Sequence, residues 1–179
     1  RDSLESRARR KVHCSGRDVG KTAEIEIMAA WASMVLPNKS MLIATQHEAH
    51  ITPLMRRLQN LFENNPALSS NVLAIRATPA WHFTFKNGFE IHGRIAGKDG
   101  INFQGMHVDF QIVDEAQNME DESWNQIYPA LNGEGFRWIY GVPNGLRNQF
   151  YHLSRNPQYE QHHWPSTFNP EYTPAKDAE

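Results

Sequence analysis

The sequence contains a single cysteine, Cys14, in 179 residues. No disulfide can form within the chain, so its stability must come from a packed core; that cysteine usage fits a reducing compartment. The place of Cys14 just ahead of a polar loop suits a small buried residue rather than a nucleophile. No apolar run approaches the roughly 20 residues that cross a bilayer. The first residues lack the order of a secretory signal, and the chain begins at Arg1 rather than Met, as expected of a piece of a longer protein. Neither sign of charge dominates. The 18 Lys and Arg against 20 Asp and Glu leave a net charge of −2, which excludes a globally basic nucleic-acid binder but not a local basic patch. Internal repeats and low-complexity blocks are also missing, so the chain reads as one globular domain.

Against that plain background one loop stands out: Ser15-Gly16-Arg17-Asp18-Val19-Gly20-Lys21-Thr22. A polar loop ending in Gly-Lys-Thr and running into a helical pattern is the chemistry of a phosphate cradle. Loop N–H groups and the helix N-terminus both favour an anion at one point. Lys21 is expected to reach the terminal phosphates, and the Thr22 hydroxyl to ligate Mg²⁺. Ser15 stands where the usual Walker A pattern has its first Gly. The matching element is Phe110-Gln111-Ile112-Val113-Asp114-Glu115, an apolar strand ending in two acids. Strands of open α/β sheets end where their ligands bind. Asp114 is expected to hold Mg²⁺ through water, and Glu115 to act as general base toward the attacking water. Either string alone also fits a buried strand followed by an acidic helix cap. The two together, in this order, point to a nucleoside triphosphate site.

The periodicity supplies the frame. A strand is expected over Arg9–Cys14, a helix over Thr22–Leu36, a strand over Met41–Thr45 and a helix over Glu48–Glu63. His82–Lys86 and Phe89–His92 flank Asn87-Gly88, which predicts a hairpin with a type I′ turn. Gly93–Gly105 reads as a loop, Glu122–Leu131 as a helix, Asn132-Gly133 as a turn and Phe136–Gly141 as a strand. Leu146–Ser154 reads as a short helix and the residues from Asn156 as an extended tail. Alternating strands and helices imply a mainly parallel sheet with helices on both faces.

Three strings in this frame resemble the ATPase domain of the large terminase subunit of tailed bacteriophages. They are Arg17 to Thr22, which match a phosphate loop with Arg before two variable residues and Gly-Lys-Thr; Asp114-Glu115-Ala116; and Tyr140-Gly141-Val142-Pro143-Asn144-Gly145-Leu146 with Phe150-Tyr151, which match the family's coupling motif. The likeness covers roughly Val12 to Leu153. The resemblance implies an α/β fold of the P-loop NTPase type (RecA-like, ASCE), with the hairpin added, and an Mg-dependent ATPase that powers movement of double-stranded DNA into a viral procapsid. It implies catalytic roles for Glu115, Arg17 and Lys21, with Arg17 acting like an arginine finger in cis. Nucleotide contacts would come from Ser15, Gly16, Arg17, Asp18, Val19, Gly20, Lys21 and Thr22, and coupling from Gly141, Val142, Pro143, Asn144 and Gly145. The implied cofactors are ATP and Mg. The implied partners are double-stranded DNA, a homo-oligomeric ring on a viral portal and the small terminase subunit, with no membrane, in the cytoplasm of an infected host cell. On this basis residues 1–155 form the ATPase domain and 156–179 a tail or linker; the family's nuclease domain is not in this chain. The sequence departs from the family pattern at Gly16, where Ser is frequent, and at Gln104-Gly105, where Arg-Gly is frequent.

Two rivals fit part of the sequence. Asp114 to Gln117 also resembles the Asp-Glu-Ala-Gln string of superfamily 2 helicases, which need a second RecA-like domain. A non-catalytic assembly module would keep nucleotide only to order a surface, and would have no use for Lys21, Thr22, Asp114 and Glu115 together. The remaining conspicuous residues have ordinary explanations. Arg56, Arg57, Arg94 and Lys98 could touch DNA or a neighbouring subunit's ATP, but read as solvated charges. His82 and His92 read as strand residues. Adjacent His162-His163 point apart in a strand and lack a third ligand. Trp31, Trp81, Trp124 and Trp138 read as core or interface.

Overall fold

The computed structural model describes residues 2–97, 103–169 and 171–173. Its centre is one eight-stranded sheet in the order β3-β4-β5-β2-β6-β7-β1-β8. The strands are β1 (Arg10–Cys14), β2 (Ser40–Thr45), β3 (Val72–Arg76), β4 (His82–Phe85), β5 (Glu90–Ile95), β6 (Val108–Val113), β7 (Leu131–Gly141) and β8 (Glu160–His162). The helices are α1 (Asp2–Glu5), α2 (Lys21–Val35), α3 (Glu48–Asn64), α4 (Pro66–Ser69), α5 (Asp121–Ile127) and α6 (Gln149–Leu153). The pairs β5-β2-β6-β7-β1-β8 are all parallel, and only β3-β4-β5 run antiparallel. The expected mainly parallel α/β architecture with a hairpin is therefore the observed one.

Strand residues alternate between two cores. Met41 and Ile43 of β2 face one, with Ile25 of α2 and Leu54, Met55 and Leu58 of α3. Leu42 and Ala44 face the other, with Trp124 and Ile127 of α5 and Phe150 and Leu153 of α6. A strand buried on both faces must be apolar throughout, which is why Met41 to Ala44 reads as a continuous run rather than an alternation. Among the described residues, no helix is long and apolar enough to cross a membrane.

Several expectations are corrected. The Asn87-Gly88 turn is not type I′, because Gly88 has φ 81° while Asn87 is not left-handed. Gly88 N–H donates to Phe85 O, giving a three-residue loop. The cause is tertiary: Asn87 Nδ2 donates to Ser33 O at the end of α2, and Asn87 Oδ1 accepts from Phe89 N. β5 continues to Ile95 through the start of the expected loop, paired along β2. Asn132-Gly133 lies inside β7, where the register with β6 shifts between Val108 and Phe110. α5 ends at Ile127 and passes through a 3-10 turn at Tyr128–Ala130 into β7. α6 begins at Gln149 rather than Leu146, because Asn148 caps it by accepting from Tyr151 N. β3 has no counterpart among the expected elements. β8, within the expected tail, pairs with β1 as an edge strand.

Candidate functional site

β1 delivers the chain to the loop at the carboxyl end of the sheet. The first two loop residues are bolted to the scaffold: Ser15 N donates to Gly141 O at 3.0 Å and Gly16 N to Trp164 O at 2.7 Å, while Ser15 Oγ accepts from Trp164 N. Asp18 at φ 55° and Gly20 at φ 95° then reverse the backbone into α2. From Arg17 onward the loop and the first turn of α2 line a polar cavity of about 750 Å³, together with Asp114, Glu115, Gln117, Val142, Pro143 and Asn144. That volume suits a drug-sized to nucleotide-sized ligand. Ser15 and Gly16 anchor the loop outside this lining; Gly141, which accepts from Ser15 N, and Gly145 also lie outside it. A second, apolar cavity of about 770 Å³ lies at the other end of the strands, between Trp31, Phe110, Phe136 and Trp138. It holds none of the candidate catalytic, nucleotide, metal or coupling residues.

β6 carries Asp114 to the cavity floor, held by Asp114 N donating to Ala44 O. The carboxyl is only 7% exposed, and its Oδ1 has no hydrogen-bond partner. Burial first, and the adjacent Glu115 second, push it up to about 6. Lys21 is also buried. Its Nζ donates to Gly16 O at 2.5 Å, and burial lowers its pKa against the opposing pull of Asp114, Glu115 and Asp18. Arg17 and Asp18 are exposed at the rim. Glu115 sits in the left-handed region at φ 52°, ψ 40°, a conformation uncommon for a residue with a side chain.

β7 lies between β6 and β1, so the segment leaving its end emerges between the two acids and the loop. Gly141 is required there, since a Cβ would stand 2.6 Å from the Phe150 ring. Gln117 ties the parts together. Its Nε2 donates to Glu115 Oε2 at 2.5 Å and its Oε1 accepts from Val142 N at 3.0 Å. Its carbonyl accepts from Asn144 Nδ2 at 3.2 Å and Asn148 Nδ2 at 2.8 Å.

Two lining residues come from α3, His50 and Arg57. They are two helical turns apart on one face, and Arg57 is held by Glu26 at 2.6 Å. Sequence reasoning misses His50 because nothing local marks a helix residue that faces a distant loop. Arg94 donates to Trp81 O and Gly93 O away from the cavity, Arg56 is exposed outside its lining, and Lys98 falls outside the described residues.

The architecture has close counterparts among solved structures. The ATPase domain of the Thermus phage P74-26 large terminase superposes with a TM-score of 0.74 over 97% of this chain and 86% of that one, at 20% identity. The fold is that of a large-terminase ATPase domain. The large terminase of a thermophilic bacteriophage, in complex with ADP, gives 0.71 at 16% identity, over 94% of this chain and 43% of that one. The large terminase of bacteriophage HK97 gives 0.67 at 17%, over 85% of this chain and 34% of that one. The chain therefore corresponds in length to a part of each of these last two proteins. No protein-family model and no curated protein matches the chain. The terminase ATPase-domain fold is thus reached with little residue identity.

Proposed function

We propose that this chain is the ATPase motor domain of a large terminase, hydrolysing ATP to drive double-stranded DNA into a viral procapsid. The observation that carries this reading is the convergence of Arg17–Thr22, Asp114-Glu115 and Val142–Asn144 on one polar cavity at the carboxyl edge of the sheet. Complexes of the thermophilic bacteriophage's large terminase with ADP and with ATP-γ-S support nucleotide as the ligand.

In this reading the loop amides and the N-terminus of α2 bind the β- and γ-phosphates. Lys21 exchanges Gly16 O for phosphate oxygens. Arg17 turns in from the rim to stabilise charge as the bond from the γ-phosphorus to the bridging oxygen breaks. Glu115 accepts the proton of the water that attacks phosphorus. Thr22 and Asp114 are an all-oxygen donor pair suited to a hard cation, and the unpartnered Asp114 Oδ1 is an acceptor that Mg²⁺ or its water would satisfy. When bound, Mg²⁺ neutralises phosphate charge. Loss of the γ-phosphate is relayed through Gly141–Gly145 to α6. DNA is gripped through its backbone, without sequence reading, by a homo-oligomeric ring seated on a portal and served by a small terminase subunit in the host cytoplasm.

The test is ATPase activity of the full-length protein with and without double-stranded DNA. Stimulated turnover that is lost on Lys21→Ala is the expected result. Absence of turnover under every condition would leave a nucleotide-ordered assembly module as the better reading.

A further inference from the structure

The hairpin carries a second cluster that the nucleotide cavity does not absorb. We propose that His82, Glu90 and His92 form a binding site for a borderline divalent transition metal, with zinc the best match.

The cluster follows from the strand register. β4 and β5 pair antiparallel with His82 opposite His92 and Thr84 opposite Glu90. Side chains alternate, so His82, Glu90 and His92 share one face while Phe83 and Ile91 fill the core on the other. The donors are therefore mounted on a rigid two-stranded ribbon. His82 Nε2 lies 3.1 Å and His92 Nε2 3.2 Å from the same Glu90 Oε2, and the three donor atoms lie within 4.8 Å of one another. A tetrahedral metal with bonds of about 2.0–2.1 Å holds its ligand atoms about 3.3 Å apart. Two of the three edges of such a site are thus already set.

The imidazole rings are stacked, 4.5 Å between centroids and 16° from parallel, which keeps both Nε2 atoms on the carboxylate's side. A metal would take the Nε2 lone pairs, and any proton on Nε2 would leave to solvent or move to Nδ1. The side chains are 29%, 43% and 15% exposed for His82, Glu90 and His92, so one side stays open for water as a fourth ligand. Two imidazoles and one carboxylate select zinc-like metals over Mg²⁺ or Ca²⁺, which want oxygen alone. None of the three residues lines the nucleotide cavity. One feature limits the affinity. His92 Nδ1 is buried without a partner, whereas ligating histidines ordinarily donate this N–H to an acceptor, and lack of that support weakens binding about tenfold or more. A micromolar rather than a nanomolar site is expected, clamping β4 to β5.

The experiment uses the complete chain, stripped with chelator and titrated with Zn²⁺ by calorimetry. One equivalent should bind, with affinity falling by about tenfold or more in His82→Ala and in Glu90→Gln, and unchanged in Asp114→Asn. Co²⁺ titration followed by proton NMR reads the ligands in the unsubstituted protein: the ring signals of His82 and His92 should shift or broaden first. No zinc uptake at submillimolar metal overturns the proposal. So does uptake that survives His82→Ala, or paramagnetic effects confined to other histidines or to the nucleotide cavity.

Discussion

Glu115 and Gln117 divide the chemistry of the site at the residue scale. Glu115 occupies a left-handed backbone conformation that costs a residue with a Cβ about 1–2 kcal/mol, and the surrounding hydrogen bonds must hold it there. Glu115→Gln keeps the shape and removes the base. Turnover should fall by about two orders of magnitude or more with nucleotide affinity nearly unchanged, read by phosphate release beside a fluorescent-nucleotide titration. Unchanged turnover would take the general-base role away from this residue. Gln117 invites a different experiment, because it holds the Glu115 carboxylate and the Val142 amide at once. Gln117→Ala should lower kcat by about tenfold through a misplaced base, with KM little changed. A shift in KM alone would mean that Gln117 serves binding instead. The two residues also differ in how readable they are. Glu115 is visible in the sequence because an apolar strand ending in paired acids is a local pattern. Gln117 registers there only as the fourth letter of a string, since its partners other than Glu115 lie 25 or more positions downstream, at Val142, Asn144 and Asn148.

At the scale of elements, the segment Gly141–Gly145 hangs between β7 and α6 from a few hydrogen bonds. Asn144 and Asn148 both donate to Gln117 O, and Asn148 also caps α6. If this segment transmits phosphate loss, Asn144→Ala should leave ATP binding intact and uncouple hydrolysis from DNA movement. A packaging assay run beside phosphate release checks this, and unchanged ATP consumption per base pair would exclude the role. Asn148→Ala should in addition destabilise the protein by about 1 kcal/mol through the lost cap. The same elements mark where sequence reading succeeds and fails. β1, β2, β6, α2 and α3 are legible because each is a long apolar run, a clean helical stripe or the lead into a motif. β3 and β8 are not, because both are edge strands: Leu73 is 66% exposed, and β8 is defined only by pairing with a strand some 150 residues earlier. The start of α6 is misread because Leu146 looks like a core position yet is 62% exposed, and the cap two residues on decides the boundary.

For the molecule as a whole, burial of ionisable groups behind the phosphate loop sets the response to acid. His13 is fully buried between Tyr140 and His162, with ring centroids 4.3 and 4.7 Å away. Its Nδ1 lies 3.5 Å from Glu24 Oε2, the geometry of an ion pair, but burial pushes the histidine down and the carboxyl up, and with the ring neutral above about pH 2 no ion pair forms. Burial first, with His162, Lys11 and Lys21 adding, takes His13 from 6.5 to about 2. Burial, with His82 and Arg94 adding, takes His92 from 6.5 to about 4. Between those limits the unfolded chain binds protons that the native state refuses. Stability is full above pH 6.5 and falls as pH drops, by about 1.4 kcal/mol per pH unit for each such group. Asp114 works the other way, since its rise from 3.8 to about 6 lets the native state hold a proton that the unfolded chain releases. Glu24, raised from 4.5, acts in the same sense. Two histidines against one aspartate leave a net loss of about 1.4 kcal/mol per pH unit between about pH 6 and pH 4.5, which Glu24 reduces. His13→Phe keeps an aromatic ring in the stack and removes the titration. Its urea midpoint should change less between pH 7.5 and pH 5 than that of the unsubstituted chain, even though the lost contact of His13 Nε2 with Ser3 Oγ lowers both of its midpoints. An equal slope in the two proteins would show that His13 takes up its proton in the folded state, and that the core behind the loop admits water.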